Sequence, residues 1–235
     1  MSAEFGLAVL DEAMEGGVPR GYVLILEEDT GLSSDVMVSQ FVAGGLLGSE
    51  NVFFLNTDFP SSTIRTLLSS QGIDVTGFEN GGKLTFMNAF GVDEPGSEKS
   101  LSAILDISDL KEIGSSVKDY AERIESPNKF RGVVDSFSTI ILSSADEKGA
   151  FAFVRSQVIA QKKFGGIVLL TLHKKAHSRQ FVAGLEHIVD GVIELRKERY
   201  YRDWRSVLQI KKMVGRKFST REFNYAIQEG KFLVE

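Results

Sequence analysis

Cysteine is absent from all 235 residues, so the chain can form neither a disulfide nor a thiolate metal site. Long hydrophobic runs are missing as well, because no uninterrupted apolar stretch approaches the roughly 18 to 20 residues of a membrane-spanning helix. The first residues carry acidic side chains where a secretory signal peptide has a basic start. These absences predict a cytoplasmic protein without a membrane partner.

An excess of positive charge is also lacking, since 27 Lys and Arg face 32 Asp and Glu and give a net charge of −5. Binding to nucleic acid regardless of its sequence needs a basic surface, so the composition argues against a nucleic-acid partner. Trp204, Tyr200 and Tyr201 lie among arginines and are of the type that stacks on bases. The acidic balance favours a hairpin or a subunit interface for this cluster instead.

Several short segments are almost wholly apolar and alternate with segments of helical spacing. The apolar segments predict strands covered on both faces, as in a parallel sheet: Tyr22–Leu26, Asn51–Leu55, Gly132–Asp135 and Gly166–Leu172. Residues Glu147–Phe164 carry one apolar stripe at helical spacing. Around Leu208 and Phe223 the apolar residues recur at every second position, which predicts antiparallel strands at one edge.

The order of these segments predicts an α/β fold. We expect a three-layer structure in which helices flank a mostly parallel, twisted sheet and the C-terminal strands are antiparallel. The chain length lies in the range in which such folds form one domain, so we expect a single domain over residues 1–235.

Two blocks of the sequence resemble a known family. The first, FGLAVLDEAMEGGVPRGYVLIL, leads into the first predicted strand and has matching residues at Leu10, Asp11, Gly16, Gly17, Pro19 and Gly21. The second, GLEHIVDGVIEL, places an aspartate-glycine pair before a late strand. Together they resemble the KaiC/RadA-like branch of the RecA superfamily of P-loop ATPases, of the archaeal type, over nearly the whole chain. The resemblance implies a RecA-like fold.

The phosphate-binding loop of that family reads GxxxxGK[ST], in which backbone N–H groups wrap the phosphates, lysine neutralises their charge and the final hydroxyl binds magnesium. Gln40 and Phe41 match the family's Gln-Phe pair and set the register. In that register Gly31 is retained, and the other motif positions are occupied by Glu28 (first glycine), Ser33 (second glycine), Ser34 (lysine) and Asp35 (hydroxyl residue). The resemblance therefore implies a degenerate phosphate loop.

Four carboxylates, those of Glu27, Glu28, Asp29 and Asp35, are expected where a triphosphate would lie. Each contact between like charges near 4 Å costs about 1 kcal/mol in water and up to about 4 kcal/mol at an effective dielectric constant of 20. A micromolar ligand has about 8 kcal/mol of binding free energy in total. We therefore predict that ATP does not bind in the usual pose, and that no cofactor is bound.

The resemblance implies that the Walker B aspartate is retained and that two further elements of ATP chemistry are altered. Asp135 ends an apolar strand at the position of the Walker B aspartate, although an acid there can also cap the following turn. Asp58 replaces the first acid of the catalytic pair after the second strand, and Phe59 replaces the second. The Lys-x-Arg pair that reaches a neighbouring subunit keeps Lys212 but has Val214 in place of arginine. We predict no catalytic residue.

Three functions remain open at this point. A non-hydrolysing regulatory or interaction module, a pseudo-ATPase, would bind a protein or peptide partner and assemble as a homo-oligomer. Alternatively, nucleotide binds with weak or subunit-shared ATPase activity, or the acidic cleft binds a divalent cation through Glu27, Glu28, Asp29, Asp35, Asp58 and Asp135. His173 and His177 have a spacing suited to metal ligation, but Lys174 and Lys175 lie between them, so no metal ligand is predicted.

Overall fold

A nine-stranded sheet forms the centre of the computed structural model, which describes residues 2–89, 106–124, 129–144 and 146–234. Its strands are β3 (Val23–Glu28), β4 (Asn51–Asn56), β5 (Leu84–Asn88), β6 (Phe130–Asp135), β7 (Ile167–His173), β8 (Gly191–Tyr200), β9 (Asp203–Met213), β10 (Glu222–Gln228) and β11 (Lys231–Val234). They lie in the order β11-β10-β9-β8-β3-β7-β6-β4-β5. Strands β3 to β8 are parallel to one another, whereas β9, β10 and β11 continue the sheet antiparallel. A separate two-stranded sheet pairs β1 (Ser2–Ala3) with β2 (Val18–Pro19).

Helices cover both faces of the large sheet, and each face has its own hydrophobic core. The first face packs against α1 (Ala8–Ala13), α2 (Ser34–Leu47), α3 (Ser61–Ser70) and α4 (Val75–Asn80). The second face packs against α5 (Leu110–Arg123), α6 (Phe137–Ser144), α7 (Glu147–Phe164) and α8 (Arg179–Ile188). Among the described residues, no helix is both long and apolar enough to cross a bilayer.

The predicted fold class is confirmed, since helices flank a mostly parallel sheet that ends in antiparallel strands. The four apolar runs form β3, β4, β6 and β7, and the segment with helical spacing forms α7. Strand β5 was not predicted. The turn-forming and charged residues of Gly91–Ser100 predict a loop, and this segment lies outside the described residues.

Several residues that carry the family resemblance have structural roles in the backbone. Asp190 accepts the N–H of Val23 at 2.9 Å and so joins the start of β3 to that of β8. A Cβ atom on Gly191 would lie 2.5 Å from Leu24 Cδ2 and 2.7 Å from Met213 Sδ, so a side chain there would have to displace two buried residues. Asp11 accepts the N–H of Phe5 at 2.5 Å and holds the entry segment in place. These matching residues therefore build the scaffold rather than the phosphate site.

A buried arginine joins the N-terminal segment to the sheet. Arg131 on β6 donates Nε and Nη2 to the two carboxylate oxygens of Glu50 at 2.9 and 3.0 Å. Its Nη1 donates to the carbonyl oxygens of Phe41 (2.8 Å) and Phe5 (3.1 Å). A Cβ atom on Gly45 would lie 2.7 Å from Arg131 Cδ, so this glycine makes space for the side chain. The contacts tie β6, α2 and the entry segment together.

Candidate functional site

The connection from β3 to α2 occupies the position of the phosphate loop. Glu28 is the last residue of β3 and is only 5% exposed. Gly31 has a φ of +79°, and Ser33, directly before α2, has a φ of +54°. The left-handed region costs a residue with a side chain about 1 to 2 kcal/mol, whereas glycine adopts it freely. Serine thus occupies a conformation in which the second glycine of the motif would be unstrained.

Five polar side chains lie at or near the carboxyl ends of parallel strands, on the sheet face that packs against α2. Side chains alternate between faces along a strand, so these residues continue the apolar rows of the first core: Glu28, Asn56, Asn88, Asp135 and Thr171. Asn56 is the register partner of both Asp135 and Asn88. Thr171 donates its hydroxyl to Asp135 Oδ1 at 2.6 Å. The carboxyl edge of a parallel sheet is where ligands usually bind.

Four carboxylates at this edge influence one another, and we call Glu28, Asp35, Asp58 and Asp135 the carboxylate cluster. Burial raises the pKa of Asp135 to about 6, and the charges of Asp58 and Asp35 add to the rise. Burial also raises the pKa of Glu28, although Ser34 and His173 oppose it. The cluster is a strongly negative site, and two of its carboxylates, those of Glu28 and Asp135, are poorly solvated.

The prediction that Glu27 faces the phosphate position is wrong. Glu27 points to the opposite face of the sheet, where Lys211 Nζ lies 2.9 Å from its Oε2 and also contacts Glu186. Neighbouring residues on a strand face opposite sides, so Glu27 and Glu28 cannot share one site.

Asp29 stays at the loop, but its charge is offset. Lys175 Nζ lies 2.9 Å from its Oδ1, and the pKa of Asp29 is lowered because Lys175 and Lys174 outweigh the effect of burial. The sequence reasoning missed these lysines as loop neighbours, since they follow β7 and are remote along the chain.

A further ammonium group approaches the loop from β8. Lys197 Nζ lies 3.7 Å from the point that a Cβ atom on Gly31 would occupy. Lys197 is exposed, and it makes no ion pair with any residue in the described part of the chain. Positive charge thus comes near the glycine of the loop from another strand, rather than from the motif position held by Ser34.

The histidines of the TLHKKAH segment bind different groups. His173 Nδ1 lies 3.3 Å from Glu28 Oε1, and His177 Nε2 lies 2.7 Å from the Ser138 hydroxyl. Within residues 2–89, 106–124, 129–144 and 146–234, no group of three or more His, Asp or Glu side chains is arranged to hold a metal ion. The geometry of the described residues therefore does not support the hypothesis that the acidic cleft binds a divalent cation.

Three other residues, which the resemblance relates to ATP hydrolysis, are Asp58, Phe59 and Lys212. Asn56 Nδ2 donates to the Phe59 carbonyl at 2.8 Å, while Asp58 and Phe59 are exposed at the edge. Lys212 Nζ donates to the carbonyl oxygens of Glu186 (2.8 Å) and His187 (2.7 Å), near the C-terminal end of α8. This lysine therefore caps a helix of the same chain, an arrangement favoured by the helix dipole.

The family model described as KaiC, among the ATPases, matches residues 3–234. The chain belongs to the KaiC family. It is 28% identical to a UPF0273 protein of Sulfurisphaera tokodaii over 195 residues, which span 81% of this chain and 66% of that protein. A UPF0273 protein of Thermotoga maritima is 24% identical over 228 residues, 95% of this chain and 91% of the relative.

A crystal structure of a KaiC-like protein from Pyrococcus horikoshii OT3 has the same fold. It superposes with a TM-score of 0.79 at 21% sequence identity, over 100% of this chain and 99% of that one. At this identity the likeness shows the fold alone. Membership of the KaiC family and the RecA-like architecture are established by these comparisons, and the chemistry of the site is a separate question.

Replacing Asp135 with asparagine is expected to stabilise this KaiC-like chain at pH 8. An acid with a raised pKa favours its protonated form in the folded state, so the free energy of unfolding falls as pH rises from about 4 to about 6. Each pH unit between the folded and unfolded pKa corresponds to about 1.4 kcal/mol, so the gain at pH 8 is about 1 to 3 kcal/mol.

Urea unfolding at pH 8 and at pH 4 measures this effect, and the difference between the two proteins should vanish at pH 4. Asparagine can still accept the Thr171 hydrogen bond. Asp119→Asn, which removes the same charge from an exposed position on α5, is the matched control. A variant less stable than the parent at pH 8 would show that Asp135 is stabilised as the charged form.

Proposed function

We propose that the chain is a KaiC-like regulatory or interaction module that neither binds ATP in the usual pose nor hydrolyses it. The observation that carries the proposal is the lysine position: Ser34, a neutral residue, occupies it, and the pKa of Glu28, which burial raises, is raised further by the nearby carboxylate of Asp35. The loop thus offers a phosphate group acids in place of an ammonium group.

Electrostatics supports this proposal even after the correction for Glu27 and Asp29. Glu28 and Asp35 remain beside Asp135, and like charges near 4 Å cost about 1 to 4 kcal/mol per contact. Two such contacts remove a large share of the roughly 8 kcal/mol that micromolar binding requires. Hydrolysis would also lack a base, because Phe59 follows Asp58 where the family has a second acid.

The hairpin formed by β8 and β9 supports a role in protein interaction. Its tip exposes three aromatic side chains, those of Tyr200, Tyr201 and Trp204. Aromatic residues are enriched in the cores of protein interfaces. We include in the proposal that a protein or peptide partner, or a second copy of this chain in a homo-oligomer, binds here.

Titration with a fluorescent ATP analogue in magnesium buffer tests the proposal, with unlabelled ATP as the competitor. We expect no binding tighter than about 100 μM, which corresponds to about 5.5 kcal/mol, at low or at high salt. Light scattering of the same sample should show self-association. Competitive binding tighter than this limit would overturn the proposed loss of nucleotide binding.

Residual nucleotide binding is the second candidate, and the position of Lys197 favours it. Its ammonium group near Gly31 could replace part of the charge of the missing lysine. In the same titration, this candidate predicts measurable ATP binding that falls about tenfold when Lys197 is replaced with alanine.

A further inference from the structure

Two buried amide side chains at the site have unsatisfied oxygens. Asn56 is 2% exposed and Asn88 is 5% exposed, and neither Oδ1 atom has a hydrogen-bond partner among the residues that the structure describes. The orientation of Asn56 is fixed, because its Nδ2 donates to the Phe59 carbonyl and its oxygen must point the other way. Buried polar atoms are nearly always paired in folded proteins, so each such oxygen calls for a partner.

These oxygens belong to the same edge as the carboxylate cluster. Asn56 is the register partner of Asp135 and lies on the same face of the sheet, and Asn88 is its neighbour on β5. The carboxylates and the amide oxygens are all acceptors. Among the described residues, Thr171 donates to Asp135, Thr57 donates to Asp58, Ser34 and His173 lie beside Glu28, and Lys197 approaches the loop at Gly31. The edge has an excess of acceptors and of negative charge.

The chemistry of the edge selects among ligand classes. An anion is repelled by the carboxylates. Direct ligation of a metal ion needs a convergent set of ligands, which the described residues do not provide. A ligand that carries positive charge on several N–H donors satisfies both the carboxylates and the amide oxygens. The ring of Phe59 is 62% exposed beside Asp58, and aromatic faces attract organic cations.

We propose that the carboxylate cluster, together with Asn56 and Asn88, binds an organic cation, that is, a guanidinium or primary ammonium group. The group comes either from an arginine or lysine side chain of a protein partner or from a free polyamine. The inference rests on the proposed function, because a bound triphosphate would occupy the space beside the carboxylates that an organic cation needs. It names the chemistry by which an interaction module of this fold would recognise its ligand.

Calorimetric titration of the full chain tests the proposal with three probes. The first is the blocked tripeptide acetyl-Gly-Arg-Gly-amide, the second is the same peptide with citrulline, a neutral analogue of arginine, and the third is spermidine. We expect the arginine peptide or spermidine to bind at least about tenfold more tightly than the citrulline peptide. Stronger binding of the peptide points to a protein side chain, and stronger binding of spermidine points to a polyamine.

Variants locate the binding. Asp135→Asn and Asn56→Leu should each weaken binding of the favoured cation by about tenfold, while Asp119→Asn should leave it unchanged. Thermal unfolding of each variant shows that it is folded. The proposal is overturned if arginine and citrulline peptides bind alike, if neither cation binds at about 10 mM, a limit near 3 kcal/mol, or if folded Asp135→Asn binds as the parent does.

The ATP titration separates failure here from failure of the proposed function. Tight ATP binding overturns the proposed function whatever the cations do. Absence of both ATP and cation binding overturns only the cation site and leaves the interaction module standing.

Discussion

Replacing Glu50 with alanine is expected to lower the free energy of unfolding by about 3 to 5 kcal/mol. Arg131 is 1% exposed, and its guanidinium group would remain buried without its carboxylate partner. The pKa of Glu50 lies below its ordinary value because Arg131 and Arg20 outweigh the effect of burial, so the ion pair is charged at neutral pH. Loss of one partner leaves an uncompensated charge in the core.

Urea unfolding followed by circular dichroism measures this loss at pH 7. Arg20 is the natural control, because it contacts the same carboxylate at 2.8 Å but is partly exposed, so that Arg20→Ala should cost about 1 kcal/mol or less. Replacing Glu50 and Arg131 together with leucine should recover part of the loss, since apolar pairs often substitute for buried ion pairs. Equal stability of Glu50→Ala and the parent would mean that water reaches the Arg131 guanidinium.

Arg131 also shows where prediction from the sequence stops. It lies within the apolar run of β6, and its partners Glu50, Phe5 and Phe41 are remote along the chain. Apolar periodicity predicted the strands and helices because period is a local property of the sequence. Partners brought together by tertiary packing have no such local signal. Strand β5 was missed because LTFMN mixes polar with apolar residues in a short segment.

Some residues of the candidate site were likewise predicted from the sequence, and others were not. The register of the phosphate loop, set by Gln40 and Phe41, led to Glu28 and Asp35, and the resemblance to the Walker B strand led to Asp135. The structure brings these three acids to one edge. The error at Glu27 arose because the predicted strand ended at Leu26, whereas β3 continues to Glu28, and adjacent residues of a strand face opposite sides. Lys197 and Asn88 could not be assigned to the site, since each comes from a strand whose place in the sheet the sequence did not give.

The division between scaffold and site bears on the proposed function. Asp11, Asp190 and Gly191 hold backbone segments together through hydrogen bonds and close approaches. Their retention preserves the sheet edge. Under the proposed function, the positions that contact phosphate in the family are replaced without loss of this architecture. The same edge can then present acids where the family presents a phosphate site.

Rebuilding the phosphate loop is expected to restore ATP binding. In a variant with Glu28→Gly, Ser33→Gly, Ser34→Lys and Asp35→Thr, two carboxylates leave the site and an ammonium group and a magnesium-binding hydroxyl enter it. Glycine at position 33 suits the observed φ of +54°, and Gly31 is already in place. Asp135 remains at the end of β6 to bind magnesium. We expect affinity for ATP to rise at least about tenfold, to a Kd of roughly 10 to 100 μM.

The fluorescent-analogue titration measures the gain. The matched control carries Ser34→Met with the other three substitutions, since methionine has nearly the length of lysine without its charge. That control should bind at least about tenfold more weakly than the rebuilt loop if charge is the deciding factor. Hydrolysis should stay absent in both, because Phe59 still occupies the position of the second acid. A folded variant with lysine at position 34 that fails to bind ATP would show that something other than the loop's carboxylates excludes the nucleotide, and the proposal based on their charge would fall.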